Sequence, residues 1–302
     1  MDTAYHIPAL LTETIDSLNI TPDGTYIDLT FGGGGHSRAI LDKITGKGKL
    51  YSLDQDIDAY NNVLATKDNP FMSNPRWQFV HGNFRYLSQF ADYYGIAGAD
   101  GILADLGVSF HHFDTAERGF SFRFDGALDM RMNRSGGQTA ADIINTYEEQ
   151  QLATVLYTYG EIKSARAIAR RICEARQKQP VTTTEQLAAI AGEDKKLLTL
   201  VFQALRIEVN DELGALREML LSSLSLLKQG GRIAILTYHS LEDRIVKNFL
   251  RSGNLEGEIE KDFYGNPLTP FTIIEKGLTA KKEEVERNPR SRSAKLRVAE
   301  KK

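Results

Sequence analysis

Apolar residues along this chain follow two rhythms. In the first third, short apolar runs at Tyr26 to Phe31, Lys49 to Leu53, Trp77 to His81 and Gly101 to Leu106 alternate with stretches of helical spacing at Ser37 to Ile44, Ile57 to Ala65 and Phe84 to Tyr93. That alternation predicts parallel strands joined by crossover helices whose apolar faces cover the sheet. From about His112 the pattern becomes a loop rich in Arg, Phe, Gly and Asp, and then helical spacing prevails up to Leu227. Strand rhythm returns at Gly231 to Tyr238, followed by a helix over Leu241 to Leu250 and further strands at Phe271 to Glu275 and Leu296 to Ala299. The expected fold is therefore α/β, a seven-stranded, doubly wound sheet over 1–111 and 211–302, interrupted by a mostly helical insertion over 112–210.

The most informative local stretch is Tyr26-Ile27-Asp28-Leu29-Thr30-Phe31-Gly32-Gly33-Gly34-Gly35-His36-Ser37. An apolar strand runs into four glycines and a helix begins just beyond. Glycines there let the backbone turn sharply and approach a ligand, while the helix start offers unpaired N–H groups. Asp54 closes the next strand, where a carboxylate can accept both hydroxyls of a ribose. These features predict a nucleoside site without choosing the nucleoside. Ser37 stands where a dinucleotide fingerprint carries its last glycine, which weakens that reading. For a methyl donor bearing an amino-acid tail, Asp28 is a candidate partner of the ammonium group. Phe84 and Asp105 follow the third and fourth strands at the same sheet edge, the first suited to stacking on an adenine or to packing, the second to ligand contact or capping.

Composition limits the alternatives. The 302 residues carry a formal charge of −3 and a single cysteine, Cys173, so neither an internal disulfide nor a multi-cysteine zinc cage is expected, and no metal. No apolar run reaches the roughly 18 residues of a membrane span, and the first residues lack the order of a signal peptide, which makes the cytoplasm the expected setting. The charge is unevenly spread: Lys276 to Lys302 holds ten Lys or Arg against four Glu, a segment of +6, leaving −9 on the rest. Such asymmetry points to an anionic partner, or to a solvated, partly disordered tail.

Six motifs in order carry a resemblance: Thr30 to Ser37, Asp105-Leu106-Gly107-Val108-Ser109, Glu117-Arg118-Gly119-Phe120-Ser121-Phe122, Leu128-Asp129-Met130-Arg131-Met132, His239-Ser240-Leu241-Glu242-Asp243-Arg244 and Asn288 to Lys295. Together they make the chain resemble the MraW/RsmH family of 16S ribosomal RNA cytosine-N4 methyltransferases, over His6 to Ala299. The resemblance implies a class I methyltransferase sheet with an inserted substrate-recognition domain. It also implies S-adenosyl-L-methionine as methyl donor and, as substrate, a cytidine of the small-subunit decoding centre. It places donor contacts on Gly34, Gly35, His36, Asp54, Phe84 and Asp105. Where many members have Gln, this chain has His112, within Ser109 to Asp114. The partner implied is 16S ribosomal RNA within the small subunit, with no membrane, and a homodimer is left open.

The cytosine amine is a weak nucleophile because its lone pair is conjugated with the ring, so an acceptor oxygen beside it would stabilise the charge that develops on transfer. Asp105 is placed to do this or to hold the donor, and the resemblance favours the donor. Methylation at carbon 5 would instead need a cysteine thiolate. Cys173 shares an apolar helical stripe with Ile168 and Ile172, the pattern of an inert thiol. Candidate substrate contacts are Arg118, Arg123, Arg131 and Arg134, with Phe120 and Phe122 for stacking, and Arg290, Arg292 and Lys295 in the tail. His239 is a candidate contact to the target base, with Ser240 as the candidate cap of the following helix. Two other classes share parts of this pattern: an NAD-dependent oxidoreductase, through the glycine turn, and a non-catalytic RNA-binding factor.

Overall fold

The computed structural model describes residues 8–65, 69–108 and 115–302, and the expected donor contact His112 lies outside them. The chain divides into two compact units, Met1–Gly107 with Leu213–Lys302, and Val108–Glu212.

The first unit is built on seven strands: β1 (Thr25–Asp28), β2 (Lys49–Asp54), β3 (Trp77–His81), β4 (Ala99–Asp105), β5 (Leu227–Thr237), β6 (Phe271–Thr279) and β7 (Lys295–Lys301). Their order is β3-β2-β1-β4-β5-β7-β6. β1 to β5 are mutually parallel, and β7 runs antiparallel to both β5 and β6. The strand order reverses beside β1, which puts the crevice for a ligand at the carboxyl ends of β1 and β4. Alternate residues leave opposite faces: Ile102, Ala104, Ile233 and Ile235 join one core cluster, Leu103, Ala234 and Leu236 the other. With both faces covered, the central strands read as continuous apolar runs.

β1 ends earlier than its apolar run. Beyond Asp28 the backbone still bonds to both neighbours, Leu29 N to Leu103 O at 2.8 Å and Phe31 N to Leu53 O at 2.8 Å, so the run to Phe31 is sheet-like without a continuous ladder. The stretch from Phe84 is a short 3-10 turn, and the α-helix begins only at Leu87. The cause is Asn83, whose side chain accepts from Arg85 N at 3.0 Å and fixes a tight first turn.

The basic segment is not a solvated tail. It forms the end of β6, a helix at Lys282–Arg287, a 3-10 turn at Pro289–Ser293 and β7, which lies inside the sheet between β5 and β6. Leu296, Val298 and Ala299 are fully buried there. Apolar residues between the charges outweigh the net charge in deciding the fate of the segment.

The second unit gathers helices at Ala140–Thr146, Glu149–Gly160, Ala165–Arg176, Thr184–Ala191 and Lys195–Asn210 around its own apolar cluster. Three start with reciprocal capping boxes, Thr139 with Asp142, Glu148 with Gln151 and Thr183 with Gln186. Cys173 packs half-buried against this cluster, and burial raises its thiol pKa.

Candidate active site

The carboxyl ends of β1, β2 and β4 are fastened to one short segment. Gly32 N donates to Asp54 Oδ2 at 2.8 Å, and two residues before it Thr30 Oγ1 accepts from the Asp105 backbone N–H at 2.7 Å. The segment can make this connection because Gly32 and Gly34 adopt positive φ, +49° and +75°. At Gly34 a side chain is excluded twice over, since a Cβ would also meet the rings of Phe31 and Phe71 at 3.2 Å. Gly35 then opens the helix Gly35–Lys43 and carries His36 into the site.

Asp54 is partly buried, and burial pushes its pKa up to about 6 against the lowering effect of the Asp56 and Gly32 N–H groups. Each oxygen accepts one of those N–H groups and keeps a lone pair for a further donor, as two ribose hydroxyls require. Asp105 receives the Tyr238 hydroxyl on Oδ1 at 2.7 Å, while Oδ2 lies 3.4 Å from His36 Nε2. That last pair is within ion-pair reach but is not aligned as a hydrogen bond: both His36 ring nitrogens are buried without a hydrogen-bond partner. Orphaned polar atoms beside the Asp105 carboxylate are what a polar ligand would satisfy, and with the open lone pairs of Asp54 the residues fit a nucleoside with a charged tail. Phe84 is half-buried against the sheet core near these strand ends.

Asp28, the expected partner of an ammonium group, is fully buried, with Ser37 Oγ donating to Oδ2 at 2.6 Å and Thr30 N to Oδ1 at 3.1 Å, so in the ligand-free structure its carboxylate braces the glycine turn. Tyr238 escaped the sequence reading, although Gly107 was its signal. Gly107 does not need positive φ. It needs space, because a Cβ would stand 3.0 Å from the Tyr238 ring. Burial, then the charge of Asp105, raises the Tyr238 phenol well above 10, so it remains a donor at neutral pH.

His239, not Ser240, caps the helix Ser240–Ser252, accepting from Glu242 N. Its Nε2 stands 3.0 Å from Glu242 Oε1, and Glu242 Oε2 accepts from Tyr238 N at 3.0 Å. The same turn that holds Tyr238 therefore holds His239 in place.

The expected substrate arginines divide. Arg118 is 2% exposed, donates to the carbonyls of Arg131 and Met132 at 3.1 and 3.2 Å, and lies over Phe120 at 5.8 Å. It fastens the two loop motifs to each other and is not offered to phosphate. Phe120 is itself buried, and Phe122 packs edge-on against Phe202, so neither ring is a free stacking platform. Arg131 is held by Asp129 in a two-point pair, both contacts 2.8 Å, and Asp129 titrates low because Arg131 overcomes the cost of burial. Lys295 pairs with Asp243 at 3.0 Å beside Arg297, which grips the same carboxylate through Nε and Nη2. Arg123, Arg134, Arg290 and Arg292 are exposed.

The reversed strand order, the glycine turn and the acidic strand ends define a class I methyltransferase. A family model described as the MraW methylase family matches residues 3–302, and the chain belongs to that family. Among its relatives is the ribosomal RNA small subunit methyltransferase H of Parabacteroides distasonis, 56% identical, the alignment covering 99% of this chain and 98% of the relative. Proteins of the same name from Phocaeicola vulgatus and Porphyromonas gingivalis are 55% and 53% identical, covering 98% and 99% of this chain and 97% and 98% of theirs. Among solved structures, an rRNA methylase from Streptococcus thermophilus overlaps 98% of each chain at 12% identity with a TM-score of 0.40.

Proposed function

We propose that this protein transfers the methyl group of S-adenosyl-L-methionine to the exocyclic N4 of a cytidine in 16S ribosomal RNA of the small subunit. The observation that carries the proposal is the pairing of Asp54 and Asp105 on the Thr30 to Gly32 segment, beside the orphaned nitrogens of His36. Asp54 would hold the ribose hydroxyls, and His36 with Asp105 would meet the polar tail. Gly34 and Gly35 would lie along the donor, and Phe84 against its adenine. When bound, the donor supplies an electrophilic methyl on a sulfonium. The protein's part is to orient the amine and to offer oxygen acceptors to the charge that builds on it. His239, fixed at the helix start by Glu242, is the candidate contact to the base. Arg123 and Arg134 in the helical unit, with Arg290 and Arg292 in the basic segment, are the remaining candidate phosphate contacts.

N4 chemistry fits the residues better than carbon-5 chemistry. The one cysteine packs against a helical core with a raised pKa, the reverse of an activated thiolate. Mass analysis of nucleosides from small-subunit RNA, before and after treatment with the protein and donor, tests the proposal. N4-methylcytidine is expected. 5-Methylcytidine, or no methylated cytidine, would overturn it.

A further inference from the structure

The two most exposed aromatics of the described residues lie together and away from the candidate site. Phe263 is 97% and Tyr264 86% exposed, their rings 5.6 Å apart and edge-on. They stand at the tip of the excursion between Gly253 and Pro270. The tip is rigidly made: Asp262 Oδ1 accepts from Tyr264 N and Asn266 N at 2.9 and 2.8 Å, Oδ2 accepts from Asn266 Nδ2 at 2.9 Å, and Asp262 N donates to Asn266 O at 2.9 Å. Leu268 N to Glu260 O at 2.7 Å and a bridge between Lys261 and Pro267 close the arms. Its base is tied as well, with Asn254 Oδ1 accepting from Gly257 N and Glu258 N, and Arg251 donating to Gly257 O. A loop this well braced that leaves two aromatic rings in water fixes them in advance for a contact, at small entropic cost on binding.

Its position separates it from the donor site. The helix Ser240–Ser252 starts at the carboxyl edge of β5 and its 13 residues carry the chain about 20 Å along the sheet. β6, which runs parallel to β5 because both are antiparallel to β7, starts just after the excursion. The aromatic tip therefore belongs to the amino edge of the sheet, opposite the edge that holds Asp54 and Asp105.

Charge selects the kind of partner. Between Gly253 and Pro270 the exposed charges are Glu256, Glu258 and Glu260 against Lys261, while the Asp262 carboxylate is committed to the turn. Three exposed glutamates on the hairpin that carries the two aromatic rings disfavour phosphate, and they match a surface of Lys and Arg, whose guanidinium groups also stack on Tyr and Phe. We propose, on the basis of the ribosomal reading above, that the hairpin Gly253 to Pro270 docks on a basic protein of the small subunit while the opposite sheet edge addresses the RNA.

Two measurements test this. With a photoreactive benzoylphenylalanine at position 263, irradiation on intact small subunits should yield an adduct with a Lys- and Arg-rich polypeptide. An adduct with RNA, one with a second copy of this chain, or no adduct overturns the proposal. In parallel, the Phe263→Ser, Tyr264→Ser double variant and the Glu256→Lys, Glu258→Lys, Glu260→Lys variant should each raise KM for intact subunits about tenfold with kcat and donor affinity unchanged. An unchanged KM overturns the proposal as well. The ribosomal reading is judged separately by the unsubstituted protein, which fails it if no methyl group reaches subunit RNA at all.

Discussion

The Tyr238 hydroxyl donates to Asp105 Oδ1 at 2.7 Å, joining the end of β5 to the end of β4 across the space left by Gly107. This bond orients the carboxylate so that its other oxygen faces His36. Tyr238→Phe keeps the ring against Gly107 and removes only the donor, so the loss is one charge-assisted hydrogen bond, about 1.5–3 kcal/mol. The donor-free protein already holds this bond, so the melting temperature should fall by a few degrees, and donor affinity measured calorimetrically should fall as well because Asp105 loses its orientation. An unchanged affinity would show that Asp105 is not positioned through Tyr238.

As the proposed ribose acceptor, Asp54 should make donor binding pH-dependent. Its folded pKa of about 6 lies above the ordinary 3.8, and ribose hydroxyls bind the ionised form. Donor affinity should therefore be flat above pH 6 and fall by about tenfold for each unit below it. Stability has the opposite sign. The folded state holds the extra proton between about pH 4 and 6, so stability declines as pH rises through that window and is level above it. Asp54→Asn should weaken binding throughout, remove the slope in affinity, and remove this contribution to the stability curve. Titration of donor affinity across pH 4.5 to 8 in both proteins checks it.

Arg118 and Arg134 look alike in the sequence and should behave differently. Arg118→Ala removes a buried guanidinium that satisfies two carbonyls and covers Phe120, and should cost about 2–3 kcal/mol in denaturant unfolding. Arg134→Ala, at an exposed position, should leave stability within about 0.5 kcal/mol. It should also lower the salt slope of RNA binding by about one. Equal effects of the two substitutions on RNA binding at unchanged stability would restore Arg118 to the substrate surface.

Which parts were legible follows from which forces act locally. Apolar periodicity marks all seven strands, because burial on both faces leaves few polar residues in β1, β4 and β5. The glycine turn before Asp54 is legible because a positive φ favours glycine whatever the surroundings. What escaped depends on residues far apart in sequence. Asp28 reads in sequence as a ligand group, while the bond it accepts from Ser37 is visible only in the fold, and nothing near Tyr238 announces Asp105, which is 133 residues away. Arg118 illustrates the same point: an Arg that ties one motif to another is indistinguishable in sequence from one that meets phosphate.

The basic segment allows these roles to be separated within a few residues. Asp243, at the first turn of the helix after β5, is gripped by Arg297 through two contacts and by Lys295 through one. Burial tends to raise its pKa, but these bonds prevail and hold the carboxyl below its usual range. Arg297 is 8% exposed, so Arg297→Ala leaves a partly buried carboxylate with Lys295 as its remaining cation, and breaking such a pair costs about 3–5 kcal/mol. Unfolding measurements should show this loss at pH 7. Because Asp243 titrates low in the folded state, the loss should shrink as pH falls through that depressed pKa, where the pair is already broken by protonation. Arg292, three residues before Lys295 and exposed on the 3-10 turn, should show the converse. Arg292→Ala should leave stability unaltered and lower the salt slope of RNA binding by about one, with donor affinity unchanged. If Arg292→Ala leaves the slope intact, the positive charge of the segment serves the sheet and not the RNA.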